Sequence, residues 1–153
     1  MKALLQRVTS ASVSISGEEV GRIGQGLCVF LGVASGDSEK DAEYLAGKTL
    51  NLRIFADAAS KFNLSLLDVR GELLLVSQFT LLADSRHGRR PSFISAAPPD
   101  EASRLFDFFV ARARESGLKV ATGRFQEHMK VEIHNDGPVT VMLDSRDKEN
   151  PKS

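Results

Sequence analysis

Tryptophan is absent from this chain of 153 residues, and cysteine and tyrosine occur once each. A lone cysteine forms no internal disulfide, so the chain falls outside the small crosslinked secreted class. Cys28 sits inside an apolar run, and a reducing, cytoplasmic location is the expectation. Net charge is missing too, since 20 basic residues balance 20 acidic ones. That argues against indiscriminate coating of nucleic acid, DNA included, and leaves room only for local basic patches. The longest apolar run, Leu27 to Ala34, is interrupted by Gly32 and is far too short to span a bilayer. No charged stretch followed by a long apolar one opens the chain, so no signal peptide is expected. What is present is a hydrophobic fraction of 42%, enough for one globular domain with a substantial core.

Periodicity divides the chain into many short strands and two helices. Lys2 to Val8 and Ala11 to Ile15 read as two strands, and Val20 to Ile23 as a third after the turn at Ser16-Gly17. Leu27 to Val33 is dense enough to be buried on both faces. Ser38 is a candidate N-cap for a helix whose stripe is Ala42, Leu45, Ala46 and Leu50. Leu64 to Val69 and Glu72 to Gln78 read as strands, the second central because Leu73 to Val76 is continuously apolar. A second helix runs from Pro98 to Ser116 with Ala102, Leu105, Phe106, Phe109, Val110 and Ala113 on one face, and Gly117 stops it. Its Phe stripe belongs to the core or to a subunit contact. Met129 to His134 and Val139 to Leu143 flank a turn at Asn135-Asp136-Gly137-Pro138 and read as a closing hairpin. The expected fold is α+β, a single domain over residues 1–144 with a largely antiparallel sheet and two main helices. Residues 145–153 are charged and apolar-poor, and a disordered tail is expected there.

The chemistry-bearing residues are few. His128 and His134 share one face of a strand with Lys130 and Glu132, which a solvated polar face explains, so no metal is expected. Gly21 to Gly26 lacks the spacing of a phosphate-binding loop, and no G-x-S-x-G elbow surrounds Ser77. Ser77-Gln78-Phe79-Thr80 nevertheless stands where a buried strand ends. Its hydroxyls and N–H groups could bind a carbonyl or phosphate, or simply satisfy the strand end. Arg86, His87, Arg89 and Arg90 form a cationic loop, either a solvated surface or a place where arginines meet phosphates. Pro138 is the surplus residue of its turn, because it removes a donor where a strand should resume. On periodicity alone its peptide bond is an ordinary trans one.

Ser77-Gln78-Phe79-Thr80 and Asn135-Asp136-Gly137-Pro138-Val139-Thr140, in this order and separation, resemble the D-aminoacyl-tRNA deacylase family. Leu5-Gln6-Arg7-Val8, the strand from Gly26 to Gly32 and Gly88-Arg89-Arg90-Pro91-Ser92-Phe93 match as well, so the likeness covers nearly the whole chain. Gln126-Glu127 departs from it, standing where smaller residues follow the Gly-x-Phe element. The resemblance implies a barrel-like core and a cytoplasmic homodimer, without cofactor, that hydrolyses the ester between tRNA and a D-amino acid or glycine. It implies that Ser77, Gln78, Phe79 and Thr80 line the pocket for the aminoacylated 3′-terminal adenosine. Gly137-Pro138 would be cis and enter the partner's pocket with Arg7 supporting it, and Gly137, Pro138, Arg7, Asn135 and Thr140 would bind the substrate and exclude an L side chain. Arg86, Arg89 and Arg90 would meet the tRNA.

An aminoacyl ester is already activated, so positioning water and polarising the carbonyl can suffice without a triad. Two mechanisms stay open under the resemblance: assistance by the terminal 2′-hydroxyl of the tRNA, or attack by Thr80. Two other functions stay open as well. One is a non-catalytic binder of aminoacyl-tRNA ends, the other a hydrolase of different esters with Thr80 and His87 as nucleophile and base.

Overall fold

A computed structural model describes residues 1–149. Its elements are β1 (Lys2–Ile15), β2 (Glu18–Ile23), β3 (Gly26–Gly32), α1 (Glu39–Asn51), β4 (Phe55–Ala56), β5 (Phe62–Leu64), α2 (Leu66–Val69), β6 (Glu72–Ser77), α3 (Pro99–Arg114), β7 (Val120–Thr122) and β8 (Lys130–Asp144). Two 3₁₀ turns, Phe79–Leu82 and Ser145–Glu149, complete it. The α+β class and the two main helices are as expected. The six apolar residues assigned to the buried face of α3 are the buried ones, and they pack in the main core rather than on the surface.

The expected strands Lys2 to Val8 and Ala11 to Ile15 form one strand. β8 runs along one edge of β1, while β3 pairs with Lys2 to Val8 and β2 with Ala11 to Ile15. The sheet order is β2-β1-β3-β6-β7. It curls until β2 returns beside β7, where a Cβ on Gly21 would lie 3.1 Å from the Thr122 carbonyl oxygen. The result is a nearly closed barrel.

The sheet is mixed rather than largely antiparallel. β3 pairs with β6, and β6 with β7, in parallel. Each parallel pair needs a crossover, and the two crossovers carry α1 and α3. The continuous apolar runs Leu27 to Leu31 and Leu73 to Val76 are what a parallel pair covered on both faces requires. Leu27, Val29, Leu31, Leu73 and Leu75 face the helices, whereas Cys28, Phe30, Leu74 and Val76 face the barrel interior. Burial pushes the Cys28 thiol up to about 12, which leaves it unreactive. Backbones of β3 and β6 approach closely: a Cβ on Gly26 would sit 1.8 Å from the Glu72 carbonyl oxygen. That register carries Ser77 to the level of Leu31.

Two further expectations are corrected. Leu64 to Val69 is not a strand, because Ser65 caps a short helix there. Its Oγ accepts from the Asp68 N–H at 3.1 Å, and the Asp68 carboxylate accepts from the Ser65 N–H at 2.8 Å. This is a capping box that the apolar run concealed. Met129 to His134 and Val139 to Leu143 do not pair as a hairpin. Apart from Met129, which precedes it, both lie in the single strand β8, and both pair with β1. In the segment expected to be a tail, Ser145–Glu149 form a 3₁₀ turn with Ser145 buried. The rest of the expected disordered segment, residues 150–153, lies outside the described residues.

Two side-chain contacts hold that C-terminal turn, beside the Ser145 N–H donating to the Met1 carbonyl at 2.9 Å. The Met1 α-ammonium donates to Ser145 Oγ at 2.9 Å, and Lys148 Nζ donates to Asp41 Oδ1 at 2.7 Å on α1. Partial burial raises the Asp41 pKa. Hydrogen bonds from Lys148, the Ser38 N–H and Ser145 outweigh that and hold it at about 2, against an ordinary 3.8. A depressed carboxylate stabilises the fold above its unfolded value and loses that contribution as pH falls through the folded one. Lys148→Met should therefore destabilise the protein at pH 7 by about 1–3 kcal/mol. Its deficit relative to the parent should shrink between pH 4 and pH 2, as urea unfolding at several pH values would register. A deficit independent of pH would mean that the side chain acts through packing alone.

Candidate active site

Ser77 is the last residue of β6, at the carboxyl ends of the parallel strands, where open α/β sheets place their ligand crevices. The Gln78 N–H donates to the Leu31 carbonyl at 2.8 Å, and the chain then turns through the 3₁₀ segment Phe79–Leu82. This turn bounds a cavity of about 670 Å³ to which Ser77, Gln78, Phe79 and Thr80 all contribute. The four residues singled out in the sequence thus share one concave site. Gln78 Nε2 donates to Thr80 Oγ1 at 2.9 Å. An amide cannot take a proton from that hydroxyl, and among the described residues Thr80 Oγ1 has no hydrogen bond to an imidazole or carboxylate.

The cavity spans three strand ends. On the β3 side, Phe93, Ala96 and Ala97 form one wall, fixed by the Ala97 N–H donating to the Val33 carbonyl at 2.9 Å. On the β7 side, Phe125 to Met129 form the other. Phe30 and Val76 from the barrel interior and Pro99 and Ala102 of α3 line it as well. Phe79 and Phe93 stand edge to face, ring centroids 5.0 Å apart at 69°. The second wall was not legible as functional. His128 and Met129 read as strand residues, yet they precede β8 and the chain turns just before them, the Glu127 N–H donating to the Arg124 carbonyl at 3.4 Å. Gln126 takes φ +61°, a left-handed conformation that a glutamine does not advertise. His128 precedes β8 and lies on this rim, whereas His134 lies within β8. Among the described residues no three His, Cys, Asp or Glu side chains gather where a metal could sit.

The cationic loop adjoins the first wall. Asp84 and Ser92 exchange backbone hydrogen bonds of 2.8 and 2.9 Å and close its neck, leaving Arg86, His87, Arg89 and Arg90 exposed. Arg86 is engaged within the loop. Its guanidinium donates to both oxygens of Asp84 and holds that carboxyl down at about 2. Arg89 and Arg90 are in no ion pair among the described residues.

The second motif lies elsewhere. Asn135 pairs with Val8 and Thr140 with Gln6, so Asp136, Gly137, Pro138 and Val139 bulge out opposite Arg7 alone. Arg7 braces the bulge: Nε donates to the Asp136 carbonyl at 3.3 Å and Nη1 to the Ile54 carbonyl at 2.8 Å, while the guanidinium lies over the Phe62 ring. Asn135 Nδ2 replaces missing ladder bonds by donating to the carbonyls of Arg7 at 2.9 Å and Val139 at 3.1 Å. Thr140 Oγ1 donates to Asn135 Oδ1 at 3.2 Å. The Gly137–Pro138 bond is cis, not the trans bond that periodicity alone suggested. Both residues are exposed, and neither borders the cavity. Arg7, Asn135, Gly137, Pro138 and Thr140 thus form one group, and Ser77 to Thr80 another.

The sequence matches the family model described as D-Tyr-tRNA(Tyr) deacylase over residues 4–144. It is 63% identical over 152 residues to a D-aminoacyl-tRNA deacylase of Dehalococcoides mccartyi strain CBDB1, covering 99% of each chain. To that of Caldicellulosiruptor saccharolyticus it is 56% identical over 146 residues, covering 95% of this chain and 98% of the relative. A solved structure titled c-Myc DNA Unwinding Element Binding Protein superposes with a TM-score of 0.88 at 41% identity, over 94% of this chain and 98% of that one. A probable eukaryotic D-amino acid tRNA deacylase shares the fold, with a TM-score of 0.84 at 19% identity and the same coverage. With its bulged β8, its cavity at the parallel strand ends and these relatives, the chain belongs to the D-Tyr-tRNA(Tyr) deacylase family.

Proposed function

We propose that the protein hydrolyses the ester of D-aminoacyl-tRNA, releasing free tRNA and the D-amino acid, and that it acts as a homodimer. The observation that carries the dimer is the separation of the two motifs: the Gly137-Pro138 bulge of one chain does not border that chain's own cavity. If both serve one reaction, the bulge must reach the cavity of a second copy. The aminoacylated 3′-terminal adenosine then occupies the cavity, with the ester beside Ser77 to Thr80 and the preceding phosphates toward Arg89 and Arg90. The exposed bulge is braced well enough to act as a fixed wall against an L side chain, and such exclusion is indifferent to side-chain chemistry. Glycine has nothing to exclude, so glycyl-tRNA, including glycine mischarged onto the alanine tRNA, is a substrate too. No helix among the described residues is long and apolar enough to cross a membrane, and a cytoplasmic site of action fits a tRNA substrate.

Water adds to the ester carbonyl, the carbonyl–oxygen bond to the ribose breaks, and the ribose oxygen leaves with a proton. No imidazole or carboxylate among the described residues bonds to Thr80, which supports assistance by the neighbouring 2′-hydroxyl of the tRNA. Matched D- and L-aminoacyl-tRNA should lose their ester at very different rates with the protein present. Equal rates, or binding without hydrolysis, would favour a non-catalytic role.

Thr80→Ala should retain most of the deacylation rate, whereas a terminal 2′-deoxyadenosine should lose about 10²-fold or more. Single-turnover rates separate the two, and abolished chemistry in Thr80→Ala with normal binding would revive a Thr80 nucleophile.

Replacing both Arg89 and Arg90 with Ala should weaken tRNA binding and flatten the plot of log K against log salt by about 1.4, from two lost phosphate contacts to a single strand. An unchanged slope would assign these arginines to the fold or the dimer.

Gly137 has φ +120°, and a Cβ there would meet Arg7 Nη2 at 3.0 Å and Val139 Cγ2 at 2.9 Å. Gly137→Ala should cost about 1–3 kcal/mol in urea unfolding, and it should depress D-aminoacyl-tRNA hydrolysis in the same preparation. Full activity would remove the bulge from the site.

A further inference from the structure

The β4–β5 hairpin stands apart from the barrel sheet, yet it meets the bulge of β8 through Arg7. Its base is fixed in the main core, where Ile54 and Phe55 are buried and Leu64 packs against them. Arg53 Nε donates to the Asn63 carbonyl at 2.9 Å, and the Asp57 N–H to the Lys61 carbonyl at 2.9 Å, so the hairpin keeps its shape. β5 carries Phe62, which is 58% exposed and belongs to neither apolar core. What its ring faces is Arg7, whose guanidinium carbon lies 5.5 Å from the ring centroid.

The contacts of Arg7 are unequal. Nη1 donates to the Ile54 carbonyl at 2.8 Å, whereas Nε lies 3.3 Å from both the carbonyl and a carboxylate oxygen of Asp136, beyond the usual range. Nη2 donates no hydrogen bond among the described residues, and it is the atom that a Cβ on Gly137 would meet at 3.0 Å. The guanidinium is thus placed from the hairpin side and backs the bulge by contact. We infer that Phe62 is a positioning residue for chiral selection, holding the Arg7 guanidinium against Gly137. The inference rests on the deacylase reading, in which the bulge is the wall against an L side chain. A ring face fixes the plane of a guanidinium, which one short hydrogen bond does not. A cation–π contact at an exposed site biases that arrangement by about twofold to fivefold, so losing the ring loosens the wall without abolishing it.

The test uses the intact protein and one tRNA charged with D- or L-tyrosine, each hydrolysed in single turnover with protein in excess. The ratio of D to L rates should fall about twofold to fivefold in Phe62→Leu, and Phe62→Tyr should keep the parent ratio. Arg7→Lys, which retains charge but not the plane, should lower the ratio by itself. Phe62→Leu should lower it no further in that background. A ring that merely stabilises the hairpin would shift the urea midpoint and leave the ratio unchanged. That result, or a loss that adds in full to that of Arg7→Lys, would overturn the inference while leaving the deacylase reading intact. Failure of the parent to hydrolyse the D-ester faster than the L-ester would overturn the deacylase reading itself, and this inference with it.

Discussion

Pairing of β1 along both of its edges is the constraint on which the rest of the structure depends. One edge is given to β8 over nearly its full length, the other to β3 and then to β2. The first partner brings the C-terminal strand back beside the N-terminus, and the second pair curls the sheet toward a barrel. The ladder with β8 shifts at Thr9 and is interrupted opposite Arg7, and long pairing on either side holds the register. Four backbone residues leave the sheet there. A single arginine and a single asparagine supply hydrogen bonds in place of those the ladder gives up. The bulge is thus a projection built from strand material and held by side-chain hydrogen bonds.

The cavity follows from the parallel half of the sheet. Two crossovers stack α1 and α3 on one face and leave the carboxyl ends of β3, β6 and β7 open at the same end of the barrel. Three chain segments leaving those ends become a floor and two walls. Their charges differ because the segment after β3 leads toward the arginine-bearing loop, while the segment after β7 turns at Gln126 and presents Glu127. A chain of zero formal net charge thus concentrates positive charge beside one wall of the site, and the rest of the chain carries the compensating negative excess.

The helices were the most legible elements, since the stripe of α3 repeats at helical spacing and each helix has a plain start or stop signal. Strand direction was less so. Dense runs at Leu27 and Leu73 showed burial on both faces, but not that this meant parallel pairing. The segment Leu64 to Val69 hid a capping box beneath leucines, and β8 passed for a hairpin because Asn-Asp-Gly-Pro is turn chemistry whether a strand reverses or merely bulges. In the site, the hydroxyls at the end of β6 stood out because polar groups seldom follow a buried strand so abruptly. Glu127 and His128 did not, since no local pattern marks residues placed by a left-handed turn at a glutamine. The cis bond came from resemblance to a family, and periodicity argued against it.

The central claim is that the bulge of one copy completes the cavity of another, and mixing two differently damaged chains tests it most directly. Thr80→Trp would block the cavity, and Gly137→Val would distort the bulge; each should be inactive as a homodimer once shown to fold. Dissociated together and allowed to reassociate, half of the dimers would be mixed and would hold one undamaged site of two. About a quarter of the parent activity should return. No recovery, with mixed dimers demonstrated by mass, would place the cavity and the bulge in the service of separate functions.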